Sequence, residues 1–415
     1  MNTNIYELEF LKRYILNLSY EDKNILEDDK QDIYEEHTIN KHGKERTVYT
    51  LSGEKGKRLA ELQKNLTDKY LSGINLPYPV KGYVKGESYR TFLLEHIGNK
   101  YFLRLDISSF FGTINTEKFN KEFTNIIRIN DNEEKEKAMK LIEDICFYKG
   151  VLPQGACSSP AMSNIIFSRT DQRILKYCQK MGVRYTRYAD DLLFSSRDLD
   201  FGKFKQFIKK IRYILSDVGY KLNYNKIVYS INGELNLNGY ILNEIEVRLS
   251  RKRFNKIRSV INTVNYVLKI NKKKLSELIL KANRKFVFYE PLKDNNKWKG
   301  VRFYYGEINS KKHLSQFRYL YVPIDELILN VVNFSMENNG QVDEEKLEII
   351  KHKGNWDYPK YSFTSMNSLS SYLLGQRSYL ISWISGQDTY SQKRIKKTID
   401  QIEQTINKIE SIYDY

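Results

Sequence analysis

The chain has 415 residues, a formal net charge of +17 and a hydrophobic share of 41%. This length and apolar content predict one large domain with a smaller one, and they exclude a chain that is disordered throughout. The three cysteines and five histidines form no clustered spacing, which excludes a disulfide framework or zinc cage and indicates a reducing, cytoplasmic compartment.

The first part of the chain is predicted to end in a basic hairpin. The start MNTNIYELEFLKRY lacks the apolar region of a signal peptide, and no later run approaches the ~20 apolar residues of a membrane span. Residues 1–38 are charged and mildly helical. Residues 39–51 predict two short strands around a His42-Gly43 turn, with basic side chains on both arms. A helix follows, since Leu59, Leu62 and Leu66 recur at spacings of three and four.

Strand and helix signals alternate between residues 78 and 240. The run YFLRLDI at 101–107 predicts a buried strand that ends in an acid, and residues 183–196 predict two strands around Ala189-Asp190-Asp191. Helices are expected at 139–148, 160–176 and 204–215. This alternation is typical of an α+β sheet layered with helices.

Beyond Glu244 the pattern becomes helical and basic. Ser250 is a candidate cap for a helix with apolar residues at the 3,4 spacing, and its first turn carries Arg251, Lys252 and Arg253. Cations in the first turn of a helix are unfavourable beside the positive end of the helix macrodipole. Their presence is explained if they bind phosphates. Scattered surface cations would give the same pattern and are the alternative. The +17 charge interleaved with Tyr and Phe likewise favours nucleic acid, or else reflects a lysine-rich background.

The last segment predicts an amphipathic helix. Its apolar stripe consists of Ile395, Ile399, Ile402, Ile406 and Ile409. Packing on its own domain is the expected role, and a coil that binds a partner or a second copy is the alternative. Trp356 and Trp383 are expected to be buried in a small core, with anchoring of an RNA or a partner as the alternative.

Three carboxylates stand at predicted strand ends. Asp106 ends one strand, and Asp190 and Asp191 occupy the turn between two others. Such acids would repel one another unless divalent cations lay between them. Two Mg²⁺ ions, or Mn²⁺, bridged by carboxylates are the apparatus of in-line phosphoryl transfer, and oxygen ligands without histidine suit these ions. For an isolated Asp-Asp pair, a simple hairpin turn would be the preferred interpretation.

Three motifs in this order resemble the reverse transcriptases, specifically the bacterial group that includes retron, group II intron and abortive-infection or defence-associated enzymes. They are Leu103-Arg104-Leu105-Asp106-Ile107-Ser108-Ser109-Phe110-Phe111, then Leu152-Pro153-Gln154-Gly155-Ala156-Cys157-Ser158-Ser159-Pro160, then Tyr188-Ala189-Asp190-Asp191. The resemblance extends from about Lys41 to about Arg258, roughly half of the chain. It implies an α+β right-hand polymerase with fingers, a palm built on an antiparallel sheet and a helical thumb.

The resemblance implies a division into four parts. These are an N-terminal segment at 1–38, fingers and palm at 39–240, a basic helical thumb at 241–325 and a C-terminal extension of unknown role at 326–415. It also implies a catalytic and metal-binding set made of Asp106, the Ile107 carbonyl, Asp190 and Asp191, in which Asp106 and Asp190 hold the ions and Asp191 supports the turn.

The resemblance assigns further residues to the nucleotide and the primer. Phe111 is the expected sugar gate that excludes ribonucleotides, and Gln154 and Gly155 are expected to shape the base-pair pocket. Lys226 resembles the proton donor to pyrophosphate. The remaining assignments are Lys41, Lys44 and Arg46 to the incoming triphosphate, Leu237, Asn238 and Gly239 to the primer grip, and Arg251, Lys252 and Arg253 to the primer-template.

The expected activity is RNA-directed DNA polymerisation, with an RNA template, deoxynucleotides and a DNA product. An anti-phage defence system with a dedicated non-coding RNA is the favoured setting. A retron enzyme that makes RNA-linked single-stranded DNA is the alternative. It is not the favoured interpretation, because two stretches depart from the usual retron patterns: Phe92-Leu93-Leu94-Glu95-His96 and Leu237-Asn238-Gly239. A non-catalytic nucleic-acid scaffold and a palm-related cyclase are further alternatives. Protein priming from Tyr413 or Tyr415 is a riskier hypothesis, since an ordinary exposed terminus fits as well.

Overall fold

The computed structural model describes residues 4–27, 30–41, 44–230, 232–270, 272–282, 286–294, 297–305, 318–337, 363–384 and 390–411. The chain divides into two compact units, residues 1–248 and 249–415. This boundary lies near the predicted end of the palm at residue 240, while the divisions at 38/39 and 325/326 stay predictions. None of the helices among the described residues is long and apolar enough to cross a membrane.

The first unit combines helices with antiparallel strands. Its helices are α1 (Leu8–Phe10, continued by a π-helical turn over Leu11–Leu16), α2 (Asp22–Glu27), α3 (Gly53–Lys69), α4 (Tyr89–Leu94), α5 (Phe110–Thr113), α6 (Thr116–Phe123), α7 (Asn132–Cys146), α8 (Ser159–Lys180) and α9 (Gln206–Ser216). The strands up to the boundary are β1 (Tyr34–Lys41), β2 (Lys44–Leu51), β3 (Tyr101–Asp106), β4 (Arg184–Tyr188), β5 (Asp191–Ser196), β6 (Val228–Tyr229), β7 (Leu235–Leu237), β8 (Tyr240–Leu242) and β9 (Val247–Leu249).

The central sheet of this unit has the strand order β4-β5-β3-β6 and is antiparallel. Every residue of β5 is buried, so this strand is covered on both faces. Helix α8 packs against β4 and α9, and α4 packs against β4. The predicted strand at 101–107 and the predicted strand pair at 183–196 are confirmed, and together they form three of the four strands of this sheet.

The predicted hairpin at 39–51 is longer than expected. Strands β1 and β2 pair from Tyr34 with Leu51 to Lys41 with Lys44. Helix α3 begins directly afterwards and buries Leu59, Leu62 and Leu66, as the spacing predicted.

Local capping explains where several helices begin. Asp131 caps α7 by accepting a hydrogen bond from the Glu134 amide at 2.8 Å, and acids in the first turn favour the helix dipole. Ser250 caps the helix that begins at Arg251 by accepting a hydrogen bond from the Arg253 amide at 3.3 Å, as expected.

The second unit contains five helices and three strands within its described residues. These are α10 (Arg251–Lys269), α11 (Lys272–Ala282), β10 (Phe286–Asp294), β11 (Lys297–Tyr305), β12 (Arg318–Pro323), α12 (Ile324–Glu337), α13 (Met366–Ile381) and α14 (Tyr390–Glu410). The isoleucine stripe of α14 is buried within this unit, where the helix packs on α13 and α10. The expectation that this helix packs on its own domain is therefore confirmed, and its apolar face is not left open for a partner. Trp383 is also buried, as expected, whereas Trp356 lies outside the described residues.

The segment 241–325, expected to form a basic helical thumb, contains strands as well as the helices α10 and α11. Strands β10, β11 and β12 form an antiparallel sheet in that order. Their aromatic and β-branched residues alternate between two faces, which stabilises strands more than helices. The sequence signal was present in FVFYEP and VRFYY, on either side of an Asn295-Asn296 turn signal.

Candidate active site

The central sheet brings the first acid motif beside the second. Asp106, the last residue of β3, lies opposite Asp191, the first residue of β5. The Ile107 amide donates to the Asp190 carbonyl at 3.0 Å, so both strand ends are tied together there. Directly opposed residues share one face of a sheet, and the predicted acids therefore meet where the neighbouring strands β3 and β5 adjoin, at the end of β3 and the start of β5.

The turn between β4 and β5 is strained and held from outside. Tyr188 pairs with Asp191, which leaves Ala189 and Asp190 as a two-residue turn. Ala189 has a φ of 55°, a conformation that an L-residue adopts at a cost of ~1–2 kcal/mol. A Cβ added to Gly82 would lie 2.6 Å from the Ala189 nitrogen. The backbone of residue 82 thus packs on the turn at a distance that only glycine allows.

A buried ion pair supports the same turn from below. Arg187 and Asp171 are both fully buried, and their Nη2 and Oδ2 atoms are 2.8 Å apart. The Tyr185 hydroxyl donates to Asp171 at 2.7 Å, and Arg187 Nη1 donates to the Ala189 carbonyl at 3.1 Å. The guanidinium also stacks over Phe167, 4.8 Å from the ring centroid. The pair thereby connects α8 to the strained residue of the acidic turn.

Cations neutralise part of the acidic cluster. Lys226 Nζ donates to Asp106 Oδ2 at 2.6 Å, and Arg104 donates through Nε and Nη2 to Asp191 Oδ1 at 2.8 and 2.5 Å. Among the residues that the structure describes, Asp106 and Asp191 have ion-pair partners and Asp190 has none. Asp190 therefore feels these cations only at longer range, without a direct ion pair.

Burial sets the titration of the two turn acids. It raises the pKa of Asp191 to about 6, against the lowering effect of the Arg104 guanidinium. Burial and then repulsion from the Asp106 carboxylate raise the pKa of Asp190. Burial disfavours the charged form of a carboxyl group, and a second negative charge nearby adds to that effect.

The donor set fits a divalent cation. Asp106 and Asp190 offer carboxylate oxygens and Ile107 offers a main-chain carbonyl, all hard ligands suited to Mg²⁺. No three His, Cys, Asp or Glu side chains in the described ranges are grouped so that they could hold a metal. Because Asp191 is engaged by Arg104, ligation is best supported for Asp106, Asp190 and the Ile107 carbonyl.

The expected sugar gate follows β3 through a left-handed residue. Ser109 has a φ of 46° and precedes α5. Phe110 is buried against Phe167, with ring centroids 5.5 Å apart. Phe111 is half-buried and meets Phe110 edge-on at 5.5 Å. The two adjacent rings therefore differ: Phe110 belongs to the core, and Phe111 is only partly covered.

The loop with Gln154 and Gly155 packs against the hairpin. The Tyr49 amide of β2 donates to the Gln154 carbonyl at 2.8 Å. Gly155 has a φ of 120°, and an added Cβ would lie 2.4 Å from the Tyr49 carbonyl oxygen. Glycine is thus required by the close approach of β2, a structural role beside the one expected at the base pair.

The basic hairpin is described only in its backbone at the predicted cations. Lys41 and Lys44 pair across β1 and β2, and Arg46 pairs with Ile39. The side chains of Lys41, Lys44 and Arg46 lie outside the described residues, as do His42 and Gly43. Their assignment to the triphosphate stays a prediction.

The expected primer grip is a tight turn next to the acidic turn. Asn238 and Gly239 have φ values of 47° and 86° and connect β7 to β8, and Leu237 is buried. Asn238 Nδ2 donates to the Tyr89 hydroxyl at 2.9 Å. The Tyr89 ring in turn lies 5.1 Å from that of Tyr188. A chain of contacts therefore joins this turn to the residue that precedes Ala189.

The three cations of α10 differ in their surroundings. Arg251 and Lys252 are exposed, whereas Arg253 is partly covered and lies 4.6 Å above the Tyr379 ring of α13. Exposure of the first two is compatible with phosphate contacts, and part of the Arg253 side chain is used for packing.

His96 is a buried link between the strands that carry the turn. Its Nδ1 lies 2.6 Å from the Ser195 hydroxyl of β5, and its Nε2 lies 2.7 Å from the Thr186 hydroxyl of β4. Burial lowers the pKa of His96 to about 3, so the ring is neutral. Sequence reasoning singled out this histidine only as part of a motif and missed its structural role.

Sequence reasoning also missed Arg104, Arg187, Asp171 and Gly82. Arg104 could have been found, because it stands two residues before Asp106 and so shares its face of β3. The partners of Arg187 and Gly82 are distant in sequence and left no local signal.

Comparison with known proteins gives one family. Residues 39–287 match the family described as reverse transcriptase (RNA-dependent DNA polymerase). The retron Ec86 reverse transcriptase of Escherichia coli is 30% identical over 238 residues, which are 56% of this chain and 70% of that protein. The retron Ec83 reverse transcriptase of Escherichia coli is 28% identical over 229 residues, covering 52% and 72%. A solved telomerase from Candida albicans, in complex with the TWJ fragment of telomeric RNA, aligns with 92% of this chain and 66% of that chain at a TM-score of 0.40 and 11% identity.

Proposed function

The chain belongs to the reverse transcriptase family, and on this premise we propose that Asp106 and Asp190 hold the two divalent ions with which it copies RNA into DNA. Membership carries the α+β right-hand polymerase fold class and RNA-directed DNA polymerase activity. The observation that supports the proposed site is the register of β3 with β5, which opposes Asp106 to Asp191, with Asp190 in the adjoining turn.

The acids have different tasks in this proposal. Asp106 and Asp190, with the Ile107 carbonyl, hold the ions, and Asp191 keeps the turn in place through Arg104. Bound Mg²⁺ supplies activation of the primer hydroxyl and neutralisation of the leaving pyrophosphate. Lys226, 31% exposed and paired with Asp106, is the proposed donor of a proton to a pyrophosphate oxygen.

The incoming deoxynucleotide is held by three groups of residues. In this proposal Phe111 excludes a ribose 2′-hydroxyl, while Gln154 and Gly155 shape the base-pair pocket. The basic residues of the hairpin, Lys41, Lys44 and Arg46, neutralise the triphosphate.

Primer and template are contacted by the elements that follow. The turn at Leu237, Asn238 and Gly239 positions the primer end, and its contact through Tyr89 to Tyr188 supports a link with the acids. Arg251, Lys252 and Arg253 at the start of α10 contact phosphates of the RNA-DNA duplex. In this proposal residues 39–240 form fingers and palm, and the thumb follows at 241–325.

The template is a dedicated non-coding RNA, and the setting is an anti-phage defence system in the cytoplasm. A second candidate is a retron enzyme that makes RNA-linked single-stranded DNA. The similarity to retron reverse transcriptases favours this candidate. The departures from the retron sequence patterns at residues 92–96 and 237–239 argue against it. Sequencing of nucleic acid that co-purifies with the chain separates the two, because a retron product would carry RNA covalently joined to DNA.

Primer extension on an RNA template with Mg²⁺ tests the polymerase site. Asp190→Asn should abolish deoxynucleotide incorporation, because it removes a metal ligand while the turn keeps its size. Asp198→Asn, at an exposed acid on the loop after β5, is the matched control and should extend the primer normally. Wild-type incorporation by Asp190→Asn would refute the assignment.

A further inference from the structure

The sheet of the second unit buries one face and leaves aromatic rings on the other. Val301, Phe303 and Val322 are fully buried on the inner face, which α12 covers. On the opposite face of β12, Tyr319 and Tyr321 are 51% and 42% exposed. Packing of the core explains the first set and gives no reason for the second.

This face carries an aromatic row, of which the middle ring, Tyr304, is only 4% exposed and Tyr319 is 51% exposed. Phe288, Tyr304 and Tyr319 lie opposite one another across the three strands. The Phe288 and Tyr304 rings are stacked, with centroids 4.5 Å apart and planes at 16°. The Tyr304 and Tyr319 centroids are 5.7 Å apart. Each ring restricts its neighbour, so the row is held in place before any ligand binds.

A cation is fixed beside this row. The Arg302 guanidinium lies 5.0 Å from the centroid of the Tyr319 ring. The one acid of the neighbouring row, Glu290, accepts from the Tyr304 hydroxyl at 2.7 Å and lies 3.6 Å from Arg302 Nη1. Its charge is therefore largely compensated, and it orients both the ring and the guanidinium.

Tyr321 lies flat on the sheet. A Cβ added to Gly300, in the strand beside it, would be 2.8 Å from a Tyr321 ring atom, and the Tyr321 hydroxyl donates to the Lys299 carbonyl at 3.1 Å. One face of the ring covers the glycine, which leaves the other face toward solvent. Tyr319 and Tyr321 are two residues apart on one strand, a separation of about 7 Å.

Cations are exposed on the strands of this sheet. Arg302 lies on the same face as Tyr319 and Tyr321, whereas Arg318 pairs with Tyr305 and lies on the other face. Lys293 and Lys299 are exposed toward one end of β10 and β11. Aromatic rings on a β-sheet, with cations around them, are the arrangement on which unpaired bases stack while phosphates are neutralised.

We propose that this face, defined by Tyr319, Tyr321 and Arg302, binds single-stranded nucleic acid through base stacking on the two tyrosines. This proposal rests on the proposed function in one respect: a polymerase that copies RNA into DNA binds unpaired template or product strands. RNA and DNA share the chemistry that the face recognises, since every base offers a π-face.

Binding of oligonucleotides by the full chain, without deoxynucleotides or divalent ions, tests the proposal. Fluorescence anisotropy is measured for a 12-nucleotide single-stranded RNA, the matching DNA and a 12-base-pair duplex, at a salt concentration that suppresses phosphate contacts. A 2-aminopurine base in each single strand reports stacking directly. The variants are Tyr319→Ala, Tyr321→Ala and Tyr319→Phe. Tyr20→Ala, at a tyrosine that is 94% exposed in the first unit, is the control.

The expected result is a loss of single-strand affinity of about 5- to 150-fold for each alanine variant, the equivalent of ~1–3 kcal/mol per stacked base. Duplex affinity should stay unchanged, and Tyr319→Phe and Tyr20→Ala should bind like the wild type. An effect confined to RNA or to DNA supports the proposal and identifies the strand. The proposal would be overturned by an unchanged affinity for the single strands, or by an equal loss of affinity for the duplex. It would also be overturned if the alanine variants lost self-association of the chain but kept their affinity for the oligonucleotides. Because no catalysis is involved, these outcomes are independent of the Asp190→Asn primer-extension result.

Discussion

Arg187 and Asp171 form a fully buried ion pair directly beneath the acidic turn, with 2.8 Å between Nη2 and Oδ2. The arginine precedes Tyr188 on β4 and also donates to the carbonyl of Ala189, the residue with the left-handed φ. The conformation of the turn that carries Asp190 thus depends on a charge pair with no exposure to solvent.

Removal of one partner of this pair should be strongly destabilising. Asp171→Asn leaves the Arg187 charge buried and uncompensated, so the free energy of unfolding should fall by about 3–5 kcal/mol. Urea denaturation followed by circular dichroism measures the change. The control is Asp217→Asn, which breaks an exposed ion pair of the same length, 2.8 Å, with Arg173. Arg173 lies on α8, the helix that also carries Asp171. That variant should lose at most about 1 kcal/mol. Similar losses in both variants would contradict the role given to burial.

A methyl group at residue 82 should disturb the acidic turn. Gly82→Ala places its Cβ 2.6 Å from the Ala189 nitrogen, and the clash is with backbone that cannot rotate away. We expect the turn to shift and the rate of primer extension to fall by about a hundredfold, the effect of ~1 Å of misplacement. Gly375→Ala, in helix α13 with no atom near the added Cβ, should leave the rate unchanged. A normal rate for Gly82→Ala would show that the turn tolerates displacement.

His96 should make stability depend on pH in the acid range. Burial lowers the pKa of His96 from 6.5 to about 3, so between these values the unfolded chain binds a proton that the folded chain does not. Stability contributed by the neutral ring is complete above pH ~6.5 and declines as the pH falls, by at most about 1.4 kcal/mol per unit.

Denaturation of His96→Gln between pH 4 and pH 7 measures this contribution. The variant should be less stable at pH 7 and should show a shallower decline toward pH 4. His37→Gln, at an exposed histidine of β1, should retain the wild-type slope. If His96→Gln also retained it, another group would be responsible.

Phe111 should control the choice of sugar. Phe111→Val removes the half-buried ring next to Phe110, and the preference for deoxynucleotides over ribonucleotides should narrow by about tenfold or more, as expected from relief of a methylene-sized clash. Single-nucleotide incorporation with matched dNTP and rNTP measures the ratio. Phe111→Tyr retains the ring and should retain the preference. An unaltered ratio in Phe111→Val would assign discrimination to another residue.

Local patterns predicted most elements of the first unit and much of the second. The strand that ends in Asp106, the pair of strands around Ala189 and the cap at Ser250 all follow from residues within a few positions of one another. The strands within 286–323 were not predicted, although aromatic residues alternate there, because the basic helical pattern that begins at Ser250 leads directly into them without a proline or glycine break.

The sequence by itself determined which residues are candidates for the site, since the motifs with Asp106, Gln154 and Asp190 depend on short-range spacing that is visible in one dimension. Only the tertiary structure decided that Asp191 is engaged by Arg104, that Asp171 supports the turn, and that Tyr319 and Tyr321 share an open face. Those relationships depend on strand register and on the approach of segments far apart in the chain. Register turns every second side chain to one face, and a single sequence does not state it.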